Sequence, residues 1–133
     1  MKTNLYKITA SGLAIIFSFL TVTEGSMVLL GITIQDYKVF IPLLVYNVIM
    51  GVVGLFVGAA IWVNHKKAIA SIKMLLIMHS AVFVIVSVLF LYSNVVAMHS
   101  VQAMIIRIIV WAVVSIMVWK INQSRIKDEN NIK

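Results

Sequence analysis

The sequence predicts an all-α integral membrane protein, a four-transmembrane-helix antiparallel bundle, from three observations. Hydrophobic residues make up 62% of the 133 residues, and charged residues make up only 11%. Soluble domains carry about a quarter charged residues, so a mean hydropathy of +1.08 indicates a chain solvated by lipid. The apolar residues also fall into four long runs, each close to the length of about 20 residues that a helix needs to cross a bilayer.

The first two predicted spans occupy about residues 8–30 and 41–63. The first span continues past Glu24 without a small-residue cleavage site, which favours a retained helix over a cleaved signal peptide. Pro42 falls in the first turn of the second span, where a helix tolerates proline. That span ends near Trp62, a residue type that favours the membrane interface.

The third and fourth predicted spans occupy about residues 74–92 and 101–121. The four spans together form one transmembrane domain over residues 1–121. Residues 122–133 are polar and charged, and they are predicted to form a disordered cytoplasmic tail because they offer few apolar side chains to bury.

The distribution of basic residues predicts the orientation. Nine of the eleven lysines and arginines fall on one side of a four-span arrangement, whereas Lys38 falls on the other and Arg107 lies within a span. The nine are Lys2, Lys7, Lys66, Lys67, Lys73, Lys120, Arg125, Lys127 and Lys133. Basic residues favour the cytoplasmic side, so both termini are predicted to be cytoplasmic, in a bacterial inner membrane. These residues flank apolar runs and form no basic stripe, which argues against nucleic-acid binding.

A polar layer is predicted in the outer half of the bundle. Glu24, Asn47, Ser87 and Arg107 each lie five or six residues from the outer end of a different span. With a rise of about 1.5 Å per residue, all four lie roughly 7–10 Å below the outer boundary. The sequence therefore predicts a ligand-binding or ion-pair site built from these four residues.

One face of the second span supports this site. Asn47 recurs with Gly51, Gly54 and Gly58 at steps of four, three and four residues. Residues at these steps share one helical face, and small residues on it let neighbouring helices approach closely. Asn47 is therefore predicted to point into the bundle.

The charges of Glu24 and Arg107 are predicted to meet. A charge at the middle of a span costs about 2.5–3.5 kcal/mol on the insertion scale, and an ion pair with hydrogen bonds from Asn47 or Ser87 would offset much of this cost. Two interpretations stay open with equal weight. The pair either fixes only the register of the helices, or it marks a ligand or proton site.

Four further residues are candidates for the mouth of the site or for a relay. His99 and Gln102 follow the third span and could form the mouth, whereas the direction of Tyr46 is left open. His79 falls in the inner half of the third span, where a hydrogen bond within the bundle is favoured over proton relay. Because His79 and His99 lie in opposite halves, a bis-histidine haem is disfavoured.

No cofactor, metal or enzymatic activity is predicted. The chain has no cysteine, which excludes disulfides and thiol chemistry, and no metal-ligand spacing or nucleophile motif is present. The favoured function is small-molecule or ion binding or transport. The alternative is an accessory or assembly subunit of a larger membrane complex, with a purely structural ion pair and with a homodimer or complex partner besides the lipid bilayer.

The chain resembles the small multidrug resistance transporters in its size, its four spans and the glutamate of its first span (Thr23-Glu24-Gly25). That resemblance implies transport coupled to proton exchange at Glu24. Two features depart from the family. The flanking charge is strongly biased to one side, and a permanent Arg107 partner would hinder proton exchange at Glu24, so the chain is not assigned to it.

Overall fold

The computed structural model describes the backbone of residues 2–131 and the side chains of residues 4–131, and this part of the chain is helical apart from its three connections. The helices, numbered in chain order, are α1 (Lys2–Leu29), α2 (Ile41–Trp62), α3 (Ala68–Tyr92) and α4 (Met98–Asn131). Each is long and apolar enough to cross a membrane by length and composition. The prediction of four long apolar helices is therefore confirmed.

Two helices extend well beyond the predicted spans. α3 begins at Ala68, before the predicted start at residue 74, and α4 continues to Asn131. The tail predicted to be disordered is therefore helical as far as it is described, and residues 132–133 lie outside the described part. The reason is local, because the tail contains neither glycine nor proline and several of its residues are good helix formers.

Glycine and asparagine end the first two helices. Gly31 has a φ of +70°, and its N–H donates to the Val28 carbonyl while Ile32 donates to the Met27 carbonyl. This pair of hydrogen bonds is a Schellman motif, which needs a left-handed residue. Asn64, with a φ of 56°, ends α2 in the same way.

The four helices form a ring in chain order. α1 packs most extensively on α2, followed by α3 on α4 and α1 on α4, and α2 meets α3 over a smaller area. Because the helices follow one another around the ring, α1 lies diagonally opposite α3. The connections between consecutive helices are short, so neighbouring helices run antiparallel. We call the end with the termini and the α2–α3 connection the basic end, and the end with the other two connections the distal end.

The glycine face of α2 packs against α1. A Cβ on Gly51 would lie 2.7 Å from Cγ2 of Val22, and a Cβ on Gly58 would lie 2.6 Å from Cγ1 of Ile15. Gly54 is buried on the same face. The prediction that this face points into the bundle is confirmed, and the face is occupied by α1, so it provides no argument for an external partner.

A hydrophobic cluster closes the basic end of the bundle. All four helices contribute to it, through residues such as Ala14, Val57, Leu75 and Val114. These side chains are at most 5% exposed. The basic half of the bundle is therefore a continuous apolar core, in contrast to the distal half.

Candidate binding site

The distal core lacks α1. Its buried cluster comprises Leu43 of α2, Val86 of α3, Val96 of the α3–α4 connection and Met104 of α4. A cavity of about 380 Å³ lies beside this cluster and shares Leu43 with it. This distal cavity has a volume typical of small-molecule sites, which occupy about 300–1,000 Å³.

Three helices and one connection form the distal cavity. Residues of α1 three or four positions apart supply one wall, because one face of that helix turns towards the bundle axis. This wall comprises Phe17, Leu20, Thr21, Glu24, Gly25 and Val28. α2 contributes Leu43, Leu44 and Asn47, and α4 contributes Ala103, Ile106 and Arg107.

The α1–α2 connection covers the distal end of the cavity as a roof. The ring of Tyr37 lies over the ring of His99, with 4.7 Å between the centroids. Lys38 Nζ donates a hydrogen bond of 3.1 Å to the carbonyl of Asn94. These two contacts tie the roof to the α3–α4 region across the mouth.

The Tyr37 phenol remains a hydrogen-bond donor in the roof. Burial raises the pKa of Tyr37 above its usual value of 10.0, and the negative charge of Glu24 raises it further, against an opposing effect of Arg107. The phenol is therefore neutral at physiological pH. Tyr37, Glu24 and Arg107 all line the distal cavity.

A constriction of about 10 Å³ adjoins the cavity and forms its floor. Three buried polar atoms belong to residues that line this constriction. Ser18 is 2% exposed and Asn47 is 9% exposed. Their Oγ and Oδ1 atoms, together with Nε of Arg107, have no hydrogen-bond partner in the described part of the protein. Such a group costs about 1–3 kcal/mol when it stays unpaired, and the constriction is close to the space that a single water needs.

The lining hydroxyls differ in what they can offer. Thr21 donates its hydroxyl proton to the carbonyl of Phe17 in its own helix, over 2.9 Å. Ser18 makes no such bond, although serine often bonds the backbone of its own helix. Ser18 is therefore the hydroxyl that remains free to bind a molecule at the floor.

Tyr46 and His79 form a hydrogen-bonded pair beside the floor. The Tyr46 hydroxyl and His79 Nδ1 are 3.1 Å apart, and the rings meet edge to face at 5.7 Å. His79 lines the constriction together with Asn47 and Arg107. The structure thus points Tyr46 into the bundle and brings His79 to the constriction beside Asn47.

Glu24 and Arg107 line the same cavity. Among the described residues, however, no nitrogen–oxygen pair of these two side chains lies within 4.0 Å. Glu24 is exposed at the wall, whereas Arg107 is half-buried with Nε inside. The two charges share a cavity without a direct ion pair.

The remaining candidates divide into two groups. His99 and Gln102 line the cavity near its mouth. Ser87 does not line the distal cavity. The reason is that α3 lies diagonally opposite α1, and Val86, the residue before Ser87, faces the distal core. Within residues 4–131, no three histidine, aspartate or glutamate side chains are grouped so that they could hold a metal ion.

Two residues of the site were missed by the sequence analysis. Ser18 could have been found, because Ser11, Ser18 and Gly25 recur every seven residues and mark a small-residue face of α1 that is buried. Tyr37 lies in a connection without periodicity, and its contact with His99 depends on how that connection meets the first turn of α4. No pattern in the sequence predicts that contact.

Comparison with protein-family models, curated proteins and solved structures finds no match to this chain.

Proposed function

We propose that the four helices span a bacterial cytoplasmic membrane with the basic end in the cytoplasm. Every helix exposes large apolar side chains, among them Phe19, Phe56, Ile77 and Ile109, which are 56–73% exposed. Soluble monomers rarely expose such extensive apolar surface. The basic residues concentrated at one end support the orientation.

The absence of native cysteines provides a direct test of this orientation. Single cysteines replace Asn94 at the distal end or Gln123 near the basic end, and intact cells are treated with a membrane-impermeant maleimide. We expect labelling of Asn94→Cys and protection of Gln123→Cys until the membrane is opened. The reverse pattern, or equal labelling of both sites, would contradict the proposal.

We further propose that the distal cavity binds a small anionic molecule, either for reception or as the first step of transport. One observation carries this proposal. Ser18, Asn47 and Arg107 direct buried polar atoms without protein partners to the floor of a cavity of ligand size. Buried polar groups in proteins are nearly always paired. A bound anion would accept hydrogen bonds from the Ser18 hydroxyl and from Nε of Arg107, whereas Asn47 Oδ1 is an acceptor and would pair with a water bound beside the anion.

The donor set suits an anion. Arg107 presents a permanent charge and a planar fork of donors, which matches the two oxygens of a carboxylate or the oxygens of a phosphate. The Ser18 hydroxyl and the Asn47 amide add neutral hydrogen-bond donors at the same depth. Low-dielectric surroundings strengthen these contacts relative to water.

Glu24 sets the charge at the entrance. Its exposed carboxylate weakens the positive potential of Arg107, so an incoming anion competes with an internal counter-charge. This arrangement keeps the site from binding every anion strongly, and it makes release easier. If transport is instead coupled to protons, the same carboxylate would serve as the proton acceptor.

The site does not continue towards the basic end of the bundle. Beyond the constriction, Ala14, Val57, Trp111 and Val114 close the bundle with side chains that are at most 5% exposed. A continuous pore is therefore absent from the described bundle. A binding protein, or a transporter with its site facing the distal side, is consistent with this arrangement.

Thermal stabilisation tests the binding proposal. Protein purified in a neutral detergent is heated with phosphate, short monocarboxylates or short dicarboxylates, and with ammonium ions as the oppositely charged control. A ligand at about 100 times its dissociation constant adds about 2.7 kcal/mol, which corresponds to a rise of several degrees in melting temperature. We expect this rise for at least one anion and none for the cations.

Two variants define the expected dependence on the site. Arg107→Gln and Asn47→Leu should reduce the anion-dependent rise, whereas Ser87→Ala, on the opposite side of the bundle, should retain it. Stabilisation of all variants by every anion would show a general salt effect and contradict the proposal. Lack of stabilisation by any anion, combined with co-purification of a stoichiometric protein partner, would favour the alternative of an assembly subunit.

A further inference from the structure

The distal cavity is closed towards α2 and open towards the seam between α1 and α4. Its α2 wall is buried at Leu43 and Asn47, which are 6% and 9% exposed. On the opposite side, Leu20 of α1 and Ile106 of α4 line the cavity and are 57% and 54% exposed. The opening therefore runs lengthwise between these two helices.

The roof covers the route along the bundle axis. Tyr37 is half-buried against His99, and the Lys38–Asn94 hydrogen bond holds the α1–α2 connection over the distal end. A molecule arriving from water along the bundle axis meets these tied side chains. A molecule arriving sideways meets the apolar side chains of Leu20 and Ile106, with the exposed polar side chains of Glu24 and Gln102 on the same two helices.

The seam and the floor differ in chemistry. Leu20 and Ile106 line the seam, with Phe17 further inside, whereas Asn47 and Arg107 lie at the floor. In a membrane, a seam at this position faces lipid acyl chains. The combination suits a molecule with one apolar chain and one anionic group.

We propose that the ligand of the distal cavity is a single-chain amphiphile with an anionic headgroup, which enters from the lipid between α1 and α4. This inference rests on the anion-binding function proposed above. The headgroup binds Arg107 and Asn47 at the floor, and the chain lies in the seam between Leu20 and Ile106. The cavity volume is near the lower limit for ligand sites, which favours one chain over two.

Fluorescence quenching at Trp111 tests the proposal. Trp111 is 2% exposed and lines the constriction, whereas Trp62 and Trp119 are each 53% exposed towards the basic end. The double variant Trp62→Phe/Trp119→Phe leaves Trp111 as the only tryptophan. This protein, in nanodiscs of a zwitterionic lipid, is titrated with three quenchers that carry bromine beside the headgroup: α-bromododecanoate, its methyl ester and α-bromopropanoate.

We expect saturable quenching by α-bromododecanoate at a concentration at least about tenfold below that needed for α-bromopropanoate, because the chain adds apolar contact. The neutral ester should quench weakly, since it lacks the charge that Arg107 recognises. Ile106→Phe, which narrows the seam, should weaken quenching by the long-chain acid. Ile109→Phe, at a 56% exposed position of α4 outside the cavity, should leave it unchanged.

The outcomes separate this inference from the binding proposal. Equal quenching by both acids with no effect of Ile106→Phe would overturn lateral access by an amphiphile, while anion binding would stand if Arg107→Gln abolishes the quenching. Equal quenching by the acid and its ester would overturn both, because charge would then have no role. The absence of saturable quenching by either acid would likewise overturn both.

Discussion

Ser18 of α1 lies directly against Gly54 of α2, and its side chain occupies the space that a Cβ on Gly54 would fill. The same Cβ would lie 2.9 Å from Cζ2 of Trp111. The missing side chain at Gly54 therefore lets Ser18 and Trp111 reach the floor of the distal cavity. The glycine face of α2 positions the candidate site as well as joining two helices.

The first prediction concerns this close approach. Gly54→Ala should lower the free energy of unfolding by about 1–3 kcal/mol, because the methyl group overpacks the interface. Thermal or denaturant unfolding in detergent measures the change. Gly12→Ala is the matched control, since a Cβ there meets no heavy atom within 4 Å. That variant should gain about 0.5–1 kcal/mol from the better helix propensity of alanine, and equal losses in both variants would contradict the packing.

Asn47→Leu should separate stability from binding. Oδ1 of Asn47 is buried without a partner, and replacing such a group by an apolar one of similar shape can be neutral or stabilising. We therefore expect an unchanged or raised melting temperature together with weaker anion binding. A strongly destabilised variant that binds normally would show that Asn47 serves the fold alone.

Tyr46→Phe should destabilise the bundle modestly. The change removes the 3.1 Å hydrogen bond to Nδ1 of His79 and leaves that nitrogen unpaired at a side chain only 2% exposed. The expected loss is about 1–3 kcal/mol, the cost of leaving one buried polar group without its partner. Tyr92→Phe is the control, because Tyr92 is 86% exposed and should tolerate the same change. If both variants unfold at the wild-type temperature, the Tyr46–His79 bond contributes nothing to stability.

Glu24→Gln distinguishes a shared cavity from a structural ion pair. Because Glu24 is exposed and makes no direct ion pair with Arg107, the melting temperature of Glu24→Gln should equal that of the wild-type protein. Loss of the carboxylate removes repulsion of an incoming anion, so affinity for the best anion should rise severalfold in an equilibrium titration. Marked destabilisation without any gain in affinity would instead favour the structural pair.

Much of the site could be predicted because helix periodicity determines which residues share a face. The spacing of Asn47 with three glycines predicted the buried face of α2. The similar depths of Glu24 and Arg107 predicted that they share one site, and both residues line the distal cavity. Depth along each helix could be read from span ends, since the rise per residue is constant.

The rest of the site depends on relations between helices that one sequence does not reveal. Ser87 was assigned to the layer by depth alone, but the ring order of the helices places α3 away from the cavity. His79 was assigned to the inner half of its span, but its hydrogen bond to Tyr46 brings it to the constriction beside Asn47, and a contact between two helices cannot be read from span ends. The contact of Tyr37 with His99 depends on how the irregular α1–α2 connection lies against the first turn of α4.

The most direct test of the anion site is the dissociation constant of the best-stabilising anion, measured by calorimetric titration for the wild-type protein and for Arg107→Gln. Charge-assisted hydrogen bonds contribute about 1.5–3 kcal/mol, so the variant should bind at least about tenfold more weakly, while Ser87→Ala binds like the wild type. Equal affinity of the wild-type and Arg107→Gln proteins would contradict the account.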